Sequence, residues 1–408
     1  MIVGSIILAI SPKNLFFIGI GFTIVGTGFF KPSISSMVGQ LYKKNDARRD
    51  AGFSLFYAGI NLGALLGGYI CIAVANGSLW TSFVPENLRW NYAFGFAAIV
   101  MIVSLLTFTQ TKKSLGEIGL SPLLKIENSK TKIYEIATYI GSLAIIPIII
   151  LMVANTVYTD YFMMIIGPAS ILYLGYEMRN FSVTENKKLV AALIFIVFSI
   201  FFWAFFEQSG GSLSLFASNN LRNTVAGIEL DPNGVNNSAN SFFVIIFAAL
   251  LGILWIWMNK RKIEPNTVVK FGLAFLFLAG GFYVFYYTKF FADASGKTSL
   301  DLFTFGWFVI TFGELCLSPI GMSAMTKLSP QKTQAVIMGM WFLASAYGQY
   351  FAGLLGANIS KASENISNFD KLIVYADGYK QLAIYALIFG IVLIIISPFM
   401  KKLMQEVK

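Results

Sequence analysis

The 408 residues contain no histidine and only two cysteines. Histidine is the side chain whose ordinary pKa lies near neutrality, so proton handling here must run on carboxylates, with Lys or Tyr as helpers. Cys71 and Cys316 both fall in apolar stretches and form neither a disulfide framework nor a metal pattern. There is no HExxH and no GxxxxGK[ST], so zinc hydrolysis and ATP-driven pumping have no motif to rest on. Charge is also scarce, at 12% of residues against about 25% in soluble domains. In its place stand hydrophobic residues, 56% of the chain, with 16% aromatic and a mean hydropathy of +0.70. That is the composition of an all-α polytopic membrane protein. The net charge of +10 suggests nucleic acid at first sight, but its distribution argues for membrane topology and against a nucleic-acid partner.

Apolar runs long enough to cross about 30 Å of hydrocarbon fall at 15–34, 53–75, 92–110, 134–154, 158–177, 188–208, 240–258, 267–288, 302–322, 335–357 and 380–399. Met1 to Ser11 is apolar over half that length and reads as the second half of a helix. It has no basic leader and no small-residue cleavage site, so it is not a signal peptide. Alternate loops carry the positive charge: Lys43, Lys44, Arg48 and Arg49 in one, five Lys within 111–132, and Lys260, Arg261 and Lys262 in another. With Met178–Lys188, Lys327–Gln334 and the tail they hold about twenty of the thirty Lys and Arg, which puts these loops and the C-terminus in the cytoplasm. The long basic loop and the two spans after it divide the chain. Residues 1–110 read as a partial N-terminal bundle, 111–187 as a linker with an inserted two-helix hairpin, and 188–408 as a six-helix C-terminal bundle. Two bundles around a midplane site is a common design of secondary transporters.

Polar residues inside these spans are the candidate functional groups, because an acid in a span costs about 2.5–3.5 kcal/mol and normally faces a cavity or a partner. Leu189 to Phe206 holds no charge and one hydroxyl, and Glu207 follows where the apolar run should continue. Gln208, Ser209, Gly210 and Gly211 come next before the chain turns apolar again, as in a span lining a polar cavity. An acid reaching into headgroups is the competing reading. Glu314 lies about twelve residues into its span, with Pro319 and Gly321 shortly after. Lys31 stands past the middle of its span before Pro32, where a helix can bend or open. The alternative is a lysine reaching the cytoplasmic surface. Lys31 and Glu314 lie at comparable depth in different halves, so an ion pair that forms in one state and breaks in another is expected. Asn61 follows Tyr57 by one turn on the same helix face, within Gly59, Gly63, Gly67 and Gly68, whose spacing also suits close helix packing. Trp203 and Trp341 lie deep in spans rather than at interfaces, and Trp203 shares a side with Glu207. Packing is the plain alternative for either tryptophan. Asn240 opens its span, where a helix cap fits as well as a ligand contact.

Three motifs then resemble the proton-coupled oligopeptide transporter (POT) family of the major facilitator superfamily. They are GTGFFKPSISSMVGQLY with RRDAGFSLFYAGINLGALLGG (26–68), FFWAFFEQSGGSLSLFA (201–217), and GELCLSPIGMSAMTKLSP with GMWFLASAYGQYFAG (313–353). The resemblance spans nearly the whole chain, and the hairpin at 134–177 looks like the extra helix pair of prokaryotic members. It implies the major facilitator fold and symport of di- and tripeptides with protons into the cell by alternating access. It also implies a multi-pass cell (inner) membrane location and no cofactor beyond protons as the coupling ion. Carried over by motif, Lys31 and Glu314 are the salt bridge between halves, and Glu207 is the protonatable partner of an arginine in the first helix. Tyr57, Asn61, Trp203, Asn240, Ser318 and Trp341 line the peptide pocket.

Two departures from the family pattern stand out. The family usually has Pro where this chain has Ser241 and Ala249. No Glu-x-x-Glu-Arg-Phe motif occurs, so the chain reads as N-terminally truncated, beginning inside what would be the third helix. On that reading Glu207 lacks its arginine, and these residues by themselves are expected not to transport. A related carrier of amino acids or nitrate, or a degenerate paralogue that transports nothing, are the alternatives. An intramembrane enzyme is not expected, because Ser318 has no candidate base except Glu314. The sequence leaves the oligomeric state open.

Overall fold

In hydrocarbon every backbone amide must be bonded within its own segment, so apolar runs of this length have one regular solution, the α-helix. The computed structural model, which describes residues 1–10, 15–43, 46, 48–75, 83–121, 128–362 and 366–405, shows helix at all eleven expected spans. The early helices are α1 (Ile2–Ile10), α2 (Phe16–Gln40), α3 (Arg48–Ala75) and α4 (Arg89–Thr111). The inserted segment forms α5 (Asn128–Ala144), α6 (Ile146–Ala154) and α7 (Thr156–Glu177). The remainder forms α8 (Val183–Phe206), α9 (Ser212–Asn220), α10 (Pro232–Lys260), α11 (Thr267–Tyr287), α12 (Leu300–Leu328), α13 (Gln334–Ala362) and α14 (Asn368–Met404). Among the described residues, nine helical segments are long and apolar enough to cross a membrane. The other two expected spans are the helices α3 and α13, 28 and 29 residues long.

Local chemistry sets the helix starts. Ser182 and Glu185 close a reciprocal capping box at α8. Asp231 caps α10 through the amide of Gly234, with Pro232 at the first helical position. Asn266, Ser299 and Ser367 cap α11, α12 and α14 in the same way. Pro32 does not open α2, which continues through it to Gln40. Between α9 and α10 a two-residue antiparallel ribbon, Thr224–Val225 with Ile228–Glu229, turns at Ala226 and Gly227. Both turn residues have positive φ.

The chain divides into two units, one of Met1–Leu41 and Gly63–Tyr176, the other of Tyr42–Leu62 and Glu177–Lys408. Helix α3 therefore begins in the second unit and ends in the first. In the first unit α1 packs on α2 and α4, and α2 packs on α6. A Cβ at Gly4 would stand 2.6 Å from the carbonyl of Gly19, so these helices touch backbone to backbone. Only 11% of the α2 span is buried, against 61% of those containing α8, α11 and α12, which places the packed core in the second unit. There α11 lies between α12 and α14, and α8 lies against α13. The core is aromatic, with Phe206, Phe216, Phe282, Phe285, Phe303 and Trp307 meeting edge to face, tilted or stacked. Gly306 lets the Phe285 ring in, since a Cβ there would stand 2.3 Å from it.

Candidate functional site

Glu314 sits in the middle of α12 with 3% of its surface exposed. Its carboxylate accepts a short hydrogen bond from the Tyr57 hydroxyl on α3. It also accepts one of 2.6 Å from the Asn240 amide on α10. Asn240 donates as well to the hydroxyl of Thr311, at 3.2 Å, one turn before Glu314 on α12. Asn61 bonds back to the Tyr57 carbonyl at 3.1 Å, and its own oxygen accepts from Ser241 of α10 at 3.3 Å. Ser318, one turn beyond Glu314, has a buried hydroxyl beside Tyr57 that makes no well-aligned hydrogen bond among the described residues. Among the described residues no Lys or Arg forms an ion pair with Glu314; its donors Tyr57 and Asn240 are neutral. Burial disfavours the charged carboxylate and the two donors favour it.

The second acid stands at a break in helix. Glu207 ends α8 and begins a tight turn through Gly210, after which α9 resumes. Glu207 is half-buried and accepts from Gln349 of α13 at 3.2 Å. Its charge lies close enough to Glu314 for the two to repel when both are ionised. Gln208, fully buried, fixes the turn by donating to the carbonyls of Ala204 and Ala352, both at 3.2 Å. Asn236 of α10 holds the Ser209 carbonyl at 2.9 Å.

The structure thus brings Tyr57, Asn61, Asn240, Glu314 and Ser318 together, with Glu207 close by. Trp203 is buried and edge-on to Phe202 and Phe206, with Gly348 of α13 packed against it. Trp341, 2% exposed, covers Gly321 of α12, where a Cβ would fall 2.2 Å from its ring. Lys31 lies exposed on α2 in the other unit, its carbonyl accepting from Ser35 at 2.9 Å. One alternative is corrected: Asn240 is not a helix cap. It lies nine residues inside α10, whose cap is Asp231, because the polar stretch PNGVNNSAN is helical although hydropathy reads it as loop.

The structure also shows a cluster that the sequence reading assigned to loop charge. Asp50, 4% exposed at the start of α3, accepts from Lys270 of α11 at 3.0 Å. It accepts too from Lys327 and Ser323 of α12, at 2.6 and 2.5 Å. Lys270 donates to Glu264 as well, at 2.6 Å, and lies over the Trp255 ring. Beside it the buried Arg49 donates to Thr326 at 2.6 Å. Arg49 and Lys327 are therefore inside the fold and not in solvated loops. The available signal was an acid, Asp50, within a basic run, and Lys270 only four residues into an apolar span.

The model of the family described as "PTR2: POT family" matches residues 1–372. The peptide transporter YePEPT of Yersinia enterocolitica is 33% identical over 414 residues, covering 97% of this chain and 76% of the relative. A di-/tripeptide transporter of Lactococcus lactis is 29% identical, with 96% and 77% covered. Among solved structures, a mutant of peptide transporter POT in complex with alafosfalin superposes with a TM-score of 0.68 at 30% identity. That match covers 99% of this chain and 79% of the other.

Proposed function

This chain belongs to the POT family, and on that footing we propose that it binds di- and tripeptides and carries them with protons across the cell membrane. The observation that carries the reading is Glu314, a buried carboxylate held among the described residues by the neutral donors Tyr57 and Asn240. A peptide brings an ammonium group that supplies the missing positive charge. A proton does the same by neutralising the acid. Either arrival changes what Tyr57 and Asn240 bond to, so binding is coupled to protonation through one carboxylate.

In the proposed cycle Lys31 pairs with Glu314 in one state and releases it in another. Glu207 is the second protonatable group, its turn held by Gln208 and Asn236. Asn61 and Asn240 meet the peptide's polar groups, and the buried hydroxyl of Ser318 offers it one more. Trp203 and Trp341 form apolar walls of the pocket. The basic loops and the C-terminus face the cytoplasm.

The names of the relatives, a peptide transporter and a di-/tripeptide transporter, support this substrate class over amino acids or nitrate. The test is calorimetric titration of the purified chain with dialanine in buffers of different ionisation enthalpy. The expected result is binding accompanied by proton exchange, and Glu314→Gln lowers the number of protons exchanged. Dialanine binding that moves no protons would reject the coupling, and absence of binding would reject the substrate class.

A further inference from the structure

We infer that Asp50 is a positioning residue for the Tyr57–Glu314 contact: an ionic clasp at the foot of α3 sets where that helix lies against α12. The inference rests on the reading above in taking Tyr57 and Glu314 as the groups that meet the peptide.

Three donors from two helices converge on Asp50: Lys270 of α11, and Lys327 and Ser323 of α12. The foot of α3 is held on a third side by α10, where Gly252 lets the helix so close that a Cβ there would stand 3.2 Å from the Cα of Ala51. Arg49 adds its bond to Thr326. The cluster holds two acids, Asp50 and Glu264, against Lys270, Lys327 and Arg49, so the charge of Asp50 is more than compensated. None of these contacts involves Tyr57, Asn240 or Glu314.

Asp50 and Tyr57 are seven residues apart on one helix. That places them within about 20° of the same face and about 10 Å apart along the axis. Tyr57 therefore reaches Glu314 from a helix whose foot is fixed two turns below. On α12 the two attachments lie on either side of Pro319, inside the helix, where one backbone donor is missing and the helix is easier to bend. The lower attachment is ionic. The upper one is a neutral hydrogen bond that substrate and proton can exchange. The same helix passes on at Gly63 into the other unit, so a fixed foot and a releasable middle make α3 a lever. Loss of the clasp lets the helix shift and moves the Tyr57 hydroxyl off Glu314.

A double-mutant cycle on the full chain, purified in lipid nanodiscs, tests this with dialanine as the probe. If Asp50 acts through Tyr57, Asp50→Asn weakens dialanine binding about tenfold in the parent, yet less than about twofold in a Tyr57→Phe background. Equal losses in both backgrounds, or no loss in either, would overturn the inference. If Asp50→Asn does not yield folded protein, Ser323→Ala and Lys327→Met each remove one donor and run the same cycle. If the parent binds no dialanine, the peptide reading fails by itself, and the cycle is read on the ligand-free unfolding midpoint. Sites about 10 Å apart are additive when independent. A non-additive pair then supports the clasp, and an additive pair overturns it.

Discussion

Glu314 and Asp50 are carboxylates in the same unit, buried to almost the same degree, and they differ in what surrounds them. Glu314 meets a phenol and an amide. Asp50 meets two ammonium groups and a hydroxyl. A buried acid without a cation has two ways to be satisfied, taking a proton or taking a positive ligand, and both are what a symporter needs. A buried acid with two cations has neither need, and its charge becomes part of the frame. On the proposed function, burial alone does not mark a functional acid; the charge of its neighbours decides.

The comparison breaks most sharply at Asp50. Asp50→Asn leaves Lys270 and Lys327 buried beside a neutral amide, and removing one partner of such a pair costs roughly 3–5 kcal/mol. A thermal unfolding scan should show the midpoint falling by several degrees. Glu314→Gln should cost less, about 1 kcal/mol, because the amide oxygen still accepts from Tyr57 or Asn240, while the proton count on dialanine binding falls. Asn236→Ala should lie between the two in stability. It strips the Ser209 carbonyl of its donor at a cost of about 1–3 kcal/mol, and it loosens the turn that presents Glu207, so the calorimetric proton count falls as well. The smallest effect belongs to Asp46→Asn. Asp46 is paired through both oxygens with the exposed Arg48, which holds its carboxyl down to about 2. A depressed acid contributes stability above its ordinary value of 3.8 and loses it as pH falls toward 2. Solvent screening makes that contribution small, so the unfolding midpoint at neutral pH should not move measurably.

Much of this contrast was legible in the sequence, and what was hidden has physical causes. The break at Glu207 showed because an acid, an amide and two glycines interrupt an apolar run, and the helix does change to a tight turn there. Glu314 showed because a mid-span acid is costly wherever it points. The Asp50 cluster did not show. Counting charge by loop locates residues along the membrane normal but says nothing about which helix face they occupy, and Lys327 is the next-to-last residue of α12 rather than a loop residue. The start of α10 was hidden for a related reason: Asp231 and Pro232 set a helix start that hydropathy cannot see through seven polar or small residues.

Glycine spacing was the least informative signal. A Cβ at Gly59, Gly63 or Gly67 of the expected packing stripe would meet no described atom within 4 Å. Gly252, Gly306 and Gly313, which no repeat pattern marked, carry the close approaches. Gly68 falls among residues whose surroundings are outside those described. Pro32 and Pro319 both lie within continuous helix, so a proline in a span marks a weak point without fixing its shape.

The most direct measurement is infrared difference spectroscopy of the purified chain between acid and alkaline pH, following the C=O stretch of protonated carboxyl groups. The account predicts a band from a buried carboxylic acid that vanishes in Glu314→Gln, shifts when dialanine binds, and is untouched as a titrating group by Asp50→Asn. A spectrum unchanged by Glu314→Gln, or one whose buried-acid band is lost with Asp50, would contradict it.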